Sequence, residues 1–253
     1  MKKTKVLTAM ALAGLLLAGS LQAEARVAVD PAALKALDRM GAHLRTLQTF
    51  SVHGDNTLDE VLESGQKIQF SGTVDLDVRS PDGLHANIQT DRKSRQIYYD
   101  GKNFTVYAPK VGYYASVPAP PTIGKMLDKI ESKYGIAFPL VDLFRWGVDA
   151  NAASKIKEAR LLGASRIGGQ ITDHYAFRQK GLDWQIWIAR GDAPLPLKYV
   201  ITTLDEPGQP QYGVNLSWNT AAKLDVTRFT FAPGKDDHRI EILALDAKQA
   251  GKK

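Results

Sequence analysis

The sequence predicts an α+β domain with one long antiparallel sheet and few helices. Three observations support this fold class. Apolar residues alternate with polar ones over most of the chain after Phe50, which is typical of strands with one buried face. The strands are short, follow one another at roughly ten-residue spacing and are separated by Gly, Pro and Asp. Helical spacing is confined to a few short stretches. Because strands twist, a sheet of about ten strands must curl, so we expect the helices on its concave side.

The first 25 residues have the pattern of a secretory signal peptide. Three lysines precede the apolar run "VLTAMALAGLLLAG", and Ala23-Glu24-Ala25 supplies small residues for a signal peptidase. An apolar run of about fourteen residues is short for a membrane span of about twenty. We therefore predict cleavage after Ala25, with Ala23 as the alternative. The predicted mature chain, residues 26–253, is a single domain exported to the periplasm.

Composition excludes some classes of protein. The chain has no cysteine, so it has neither a disulfide nor the lipid-bearing cysteine of an anchored lipoprotein. Its 33 basic and 27 acidic residues give a net charge of +6. The basic residues are scattered singly rather than grouped on one track, so we expect no nucleic-acid partner.

The elements follow in order along the chain. Asp30-Pro31 is typical of a helix start, and the residues that follow have one apolar face. The segment "KIQFSGTVDLDVRS" alternates as a strand, "LHANIQT" follows after a turn, and "YYDGKNFTVYAP" is a hairpin around Asp100-Gly101. A second helix begins after Thr122 and a third at Pro139. The later strands are "EARLLGAS", "DHYAFRQ", "DWQIWIAR", "LKYVITTLD", "QYGVNLSWN" and "HRIEILAL".

The aromatic hairpin and its neighbours are candidates for a cavity wall. Phe104 and Val106 share one face of their strand, as do Trp184 and Ile186. Each residue could equally be ordinary core, but small helices do not fill the concavity of a wide sheet. Pockets for apolar ligands have mostly apolar walls. The predicted cavity residues are Phe70, Val74, Leu76, Ile88, Tyr99, Phe104, Val106, Met126, Leu127, Ile130, Trp184 and Ile186.

Polar residues give weaker signals. The best cluster lies across one predicted hairpin, where it forms either a salt-bridged surface or a recognition site; its members are Asp173, His174, Arg178 and Asp183. An acidic group, Asp55, Asp59, Glu60 and Glu63, is expected in a solvated loop. No G-x-S-x-G or H-E-x-x-H motif and no phosphate-binding glycine loop occurs. We therefore predict no catalytic residue, no metal site and no cofactor.

Several segments together resemble the periplasmic lipoprotein carriers of the LolA/LolB-like superfamily. The matching positions are Gly72, Val74, Leu76, Arg79, Pro81, Asp100, Gly101, Lys102, Tyr107, Pro109, Phe229, Phe231 and Pro233. The segment "DHYAFRQKGLDWQIWIARGDAPLPLKYVIT" is most similar to one family of predicted periplasmic proteins within it, a domain of unknown function. The resemblance implies a half-barrel of about eleven strands, lidded by helices, around an apolar cavity that receives acyl chains. Two features depart from the carriers: Leu84-His85-Ala86 replaces an aromatic anchor, and residues 148–170 do not align.

Two functional hypotheses follow. In the first, the protein is a non-enzymatic periplasmic binding protein that holds a lipid, or the acyl chain of a lipoprotein, as a carrier or envelope sensor. In the second, it is a protein–protein interaction module that docks an envelope or outer-membrane protein while its own side chains fill the cavity.

Overall fold

The computed structural model describes residues 29–136, 146 and 152–245. Within these residues the helices are α1 (Pro31–Thr46) and α2 (Ile123–Tyr134), with short 3₁₀ helices at Ala153–Lys155 and Val226–Phe229. The strands are β1 (Thr49–Val61), β2 (Lys67–Arg79), β3 (Gly83–Thr90), β4 (Ser94–Tyr99), β5 (Asn103–Ala108), β6 (Tyr113–Pro118), β7 (Glu158–Ile167), β8 (Gln170–Gln179), β9 (Leu182–Ala189), β10 (Pro196–Thr203), β11 (Gln211–Asn219) and β12 (His238–Arg239). The predicted signal peptide and most of the predicted helix at Pro139 lie outside the described residues.

The two helices begin and end where local chemistry dictates. The Asp30 carboxylate accepts a hydrogen bond from the Ala32 amide at 2.8 Å, and Pro31 opens α1. The Thr122 hydroxyl caps α2, and Gly135 ends it in the left-handed conformation with φ 65°, which glycine adopts without steric cost. Both predicted helix starts are confirmed.

The strands form one sheet in the order β12-β6-β5-β4-β3-β2-β1-β11-β10-β9-β8-β7. Adjacent strands in this sheet are antiparallel, except β12 and β6, which are parallel. The predicted fold class, a mostly antiparallel sheet with a few helices, is confirmed, with twelve strands rather than about eleven. The shortest strand is the two-residue β12.

The apolar core lies on the face that carries the helices, here called the inner face. A single cluster of buried residues joins both helices to strands far apart in the sheet, for example Phe104 on β5 and Phe177 on β8. Strands eight places apart in the order reach one cluster only if the sheet curves around the helices. Twist accumulated over twelve strands accounts for this curvature.

The first part of residues 224–245, here called the C-terminal segment, crosses the opposite, outer face. Arg228 reaches Asp77 on β2 at 2.7 Å, and the Phe231 ring lies 4.9 to 5.3 Å from the rings of Tyr98, Tyr107 and Tyr114. The prediction of a strand over "HRIEILAL" is wrong beyond His238–Arg239. Ile242 and Ala244 pack against the core, whereas Ile240 is 50% exposed.

The acidic group predicted in a loop is a second correction. Asp55, Asp59 and Glu60 belong to the thirteen-residue strand β1. Asp59 is buried and accepts hydrogen bonds from the Gln69 side chain and the Gln211 amide. These donors lower its pKa, although burial alone would raise it. Partners from two neighbouring strands, which sequence reading cannot supply, allow this carboxylate inside a sheet.

Among the described residues, no helix combines the length and apolar character required to cross a membrane.

Candidate functional site

Most of the predicted cavity residues lie together at the centre of the inner face. Eleven of the twelve belong to or pack against the single apolar cluster. Four have no exposed surface, namely Tyr99, Phe104, Met126 and Ile130 (0%). Val74, Leu76, Leu127 and Ile186 are also buried, whereas Ile88, Val106 and Trp184 are partly buried. The side chains therefore pack on one another here, and their role as a ligand-cavity wall stays a prediction.

Phe70 lies apart from that cluster. It is half-buried near the start of β2, opposite the exposed Leu58 of β1. The Arg92 guanidinium lies over its ring, 4.1 Å from the centroid, which is cation–π geometry. Phe70 thus shares a face with Val74 and Leu76 but is covered by a surface arginine.

Trp184 is the one predicted cavity residue with an unsatisfied polar atom on the inner face. Its ring stacks on Phe177 at a centroid distance of 4.1 Å and lies 6.5 Å from the ring of Trp146. Its Nε1–H is buried and has no hydrogen-bond partner within the described parts of the chain. Buried donors are normally paired, so this indole N–H departs from the usual pattern.

An open apolar groove lies between the two helices at the edge of the inner face. Its volume is about 900 Å³, within the range of about 300–1,000 Å³ of small-molecule pockets. The apolar part of its lining comes from the end of α1, the start of β1, the end of β2 and the start of α2. These residues are Leu44, Leu47, Phe50, Val78, Ile123 and Leu127. Leu127 is thus a predicted cavity residue that also lines the groove.

The mouth of the groove combines space with charge. A Cβ atom at Gly124 of α2 would meet nothing within 4 Å, so the groove is open in front of this residue. Arg45, Asp128 and Glu131 also line it, and the Arg45 guanidinium donates to the Trp146 carbonyl at 2.8 Å. Sequence reading missed this site because its walls come from four separate elements, each of which looks like ordinary amphipathic structure.

The predicted polar cluster on the β8–β9 hairpin is not one cluster. Arg178 forms a bidentate pair with Asp183, with distances of 2.7 and 2.6 Å. Asp173 pairs instead with Arg190 at 2.6 Å. Because Asp173 and Arg178 are five residues apart on β8, their side chains leave opposite faces of the strand. The proposed recognition site is therefore divided into two surface ion pairs, which contribute little to stability.

The pKa values of two histidines are shifted in opposite directions. The Asp75 carboxylate accepts a hydrogen bond from His53 Nδ1 at 2.6 Å, which raises the pKa of His53. Burial lowers the pKa of His174, whose ring stacks on that of Trp187 at a centroid distance of 3.9 Å. The stability supplied by His53 is thus present below about pH 6.5 and is lost as the pH rises through its folded-state pKa. For His174 the contribution is present above about pH 6.5 and is lost as the pH falls.

NMR titration of the ring protons checks this expectation. The Asp75→Asn variant should return His53 towards its ordinary pKa and leave His174 unchanged. Equal midpoints for the two histidines in the wild-type protein would contradict the described contacts.

The described residues contain no group of three or more histidine, aspartate or glutamate side chains placed to hold a metal ion.

Comparison with solved structures gives distant likenesses. Lipoprotein LppX of Mycobacterium tuberculosis is 18% identical with a TM-score of 0.49, over 78% of this chain and 100% of that chain. A chain in the MucA/MucB complex of Pseudomonas aeruginosa is 18% identical with a TM-score of 0.42, over 79% and 61%. A LolA superfamily protein of Nitrosomonas europaea is 10% identical with a TM-score of 0.38, over 79% and 97%. Likenesses of this degree say nothing about ligand or partner.

The sequence comparisons are decisive for the family. No functionally curated protein matches the chain. The sequence model of the family described as "Predicted periplasmic protein (DUF2092)" matches residues 33–243, which include α1 from its third residue, all of α2 and the twelve strands described above. This confirms the prediction made from the β8–β10 segment, and the chain belongs to the DUF2092 family of predicted periplasmic proteins.

Proposed function

We propose that this protein is a non-enzymatic periplasmic binding protein that holds a hydrophobic ligand, a lipid or the acyl chain of a lipoprotein, in the groove between α1 and α2. The observation that carries the proposal is the groove of about 900 Å³ with its six apolar lining residues. Acting as a carrier or envelope sensor, the protein would exchange this ligand with an envelope or outer-membrane protein.

The groove suits a chain with a polar end. Its apolar floor can take up methylene groups, each of which gains about 0.8 kcal/mol on leaving water. At the rim, Arg45 provides a cation and Asp128 and Glu131 provide carboxylates, so a polar head group finds donors and acceptors there. Because the centre of the inner face is already packed, the ligand site moves from the predicted position to the space between the helices.

A specific observation also favours the second hypothesis. Tyr99, Phe104, Met126 and Ile130 have no exposed surface, as expected if the protein fills its own concavity and acts as an interaction module. The two functions differ in what the groove does with an isolated acyl chain. Only the first requires that it bind one.

Titration with a fluorescent fatty acid tests the proposal, and Gly124→Phe is the informative variant. The phenylalanine ring enters open space without backbone strain, because a Cβ atom at position 124 meets no neighbour. The substitution also removes the entropy cost of glycine in a helix. Covering about 60 Å² of apolar wall is worth about 1.5 kcal/mol, or about tenfold in affinity. We expect probe binding to weaken at least that much while the free energy of unfolding stays the same or rises.

Lys125→Phe is the matched control. It places the same ring on the next residue of α2, which is exposed and does not line the groove, so probe affinity should not fall. A wild-type protein that rejects the probe would support the interaction module instead. Equal affinities for wild type and Gly124→Phe would place the probe outside this groove and overturn the proposed site.

A further inference from the structure

Two neighbouring rows of polar side chains cross the outer face from β1 to β4. Their order follows from the pairing of the strands, in which directly opposite residues share a face. The first row is His53, Asp75, Asn87 and Gln96. The second row is Ser51, Asp77, His85 and Tyr98. An outer face is expected to be polar, but these rows form the floor of a trench rather than an open surface.

The C-terminal segment makes the trench. Arg228 descends from the 3₁₀ helix to Asp77 and separates two cavities of about 520 and 730 Å³. Both cavities are lined by Asp77, His85, Tyr98 and Arg228, so they are two halves of one depression. The segment thus converts part of the outer face into a sheltered polar site.

Two polar atoms in the trench floor are not fully hydrogen-bonded in the described structure. His85 is 4% exposed, and its Nδ1 lies 3.5 Å from Asp77 Oδ2 without hydrogen-bond geometry. The Asn87 Oδ1 atom on the neighbouring row is also buried and unpaired. Buried polar atoms in proteins are nearly always paired. An imidazole nitrogen with only a long contact to a carboxylate and an unpaired amide oxygen, in neighbouring rows, favour a guest that both donates and accepts hydrogen bonds.

The charges on the trench floor are paired with one another. Asp77 receives hydrogen bonds from Ser51 at 2.6 Å and Arg228 at 2.7 Å, and Asp75 pairs with His53 at 2.6 Å. Lys223 adds one cation to the lining, but Asp225 and Asp237 add two carboxylates. Carboxylates therefore outnumber cations in the trench, which disfavours an anion. A polar floor equally disfavours an apolar guest, because its groups would lose their hydration without gaining partners.

We propose that this trench binds a neutral, hydroxyl-rich ligand of the size of a short oligosaccharide. Hydroxyl groups donate and accept at once, so they satisfy the His85 nitrogen and the Asn87 oxygen together. The rings of Tyr98 and His85, 4.8 Å apart, provide an aromatic surface for the apolar faces of sugar rings. The trench lies on the opposite face of the sheet from the acyl groove and shares no lining residue with it. Binding at each site can therefore be tested independently of the other.

NMR-monitored titration of the full chain with chitotetraose and maltotetraose tests the proposal. At least one oligosaccharide should shift backbone signals of β1 to β4 around the two rows. Asn87→Ala should weaken binding at least fivefold without lowering the denaturation midpoint, because the lost oxygen makes no described hydrogen bond. His53→Ala, at a half-exposed position, should also weaken binding and does not depend on the packing of the floor.

Asn215→Ala is the control, since Asn215 lies on the outer face opposite Asp55 but outside the trench. It should leave the affinity unchanged. The proposal is overturned if neither sugar shifts these signals at a concentration of about 10 mM, at which even very weak binding would be detected. It is also overturned if both Asn87→Ala and His53→Ala bind the sugar as tightly as the wild-type protein. Displacement of the sugar by inorganic phosphate would overturn the assignment of a neutral ligand.

Discussion

Phe104→Ala is expected to lower the free energy of unfolding by about 3–5 kcal/mol, the usual cost of truncating a buried phenylalanine. Phe104 has no exposed surface and lies on β5 between Tyr99 of β4 and Val117 of β6. Close-packed neighbours on both sides relax only partly around the missing ring, so a cavity remains. Denaturation with urea, compared at equal m-values, measures the effect.

Val111→Ala serves as its control in the same hairpin. Val111 is 61% exposed, and surface substitutions usually stay within about 0.5 kcal/mol. If Phe104 is packed in the core and does not line a ligand site, Phe104→Ala should leave fatty-acid binding in the groove between α1 and α2 unchanged. A cost below about 2 kcal/mol, combined with weaker probe binding, would instead show that Phe104 borders an open volume, as the sequence alone suggested.

Phe229→Ala is expected to cost a similar amount, about 3–5 kcal/mol, and to loosen the C-terminal segment. The ring is 1% exposed and fits over Gly83, where an added Cβ would lie 3.0 Å from the phenylalanine Cγ. The Arg79 guanidinium lies 4.8 Å from the ring centroid. Glycine at position 83 is thus what allows the ring to approach the sheet this closely.

Urea denaturation and limited proteolysis measure this second effect together. Trypsin should cut the Phe229→Ala variant within the C-terminal segment, at Arg228 or Lys235, before it cuts the strands. Val226→Ala in the same 3₁₀ helix, at a position 60% exposed, should resemble wild type in both measurements. Unchanged proteolysis of Phe229→Ala would mean that Arg228 and Phe231 hold the segment without it.

The sequence by itself determined the class of fold, the helix starts and the family. Asp30-Pro31 and Thr122 mark helix starts through backbone chemistry that acts within three residues. Asp100-Gly101 joins β4 to β5 because Gly101 adopts φ 85° and the Asp100 carboxylate binds the Lys102 and Asn103 amides. Strand alternation likewise showed that Val74, Leu76 and Val78 share a face. Each of these signals depends on neighbours in the chain.

The tertiary structure decided what lies against each face. Alternation places Phe104 on the inner face but does not say whether a helix, a ligand or another aromatic ring covers it; here its burial is complete. The same limit explains why Asp173 and Arg178, close in sequence, pair with different residues. The helix groove, the buried Asp59 and the trench beneath Arg228 bring together groups from three or more elements. Such contacts depend on sheet curvature and on where the C-terminal segment crosses, and these are set by the packing of the whole chain rather than by any local pattern.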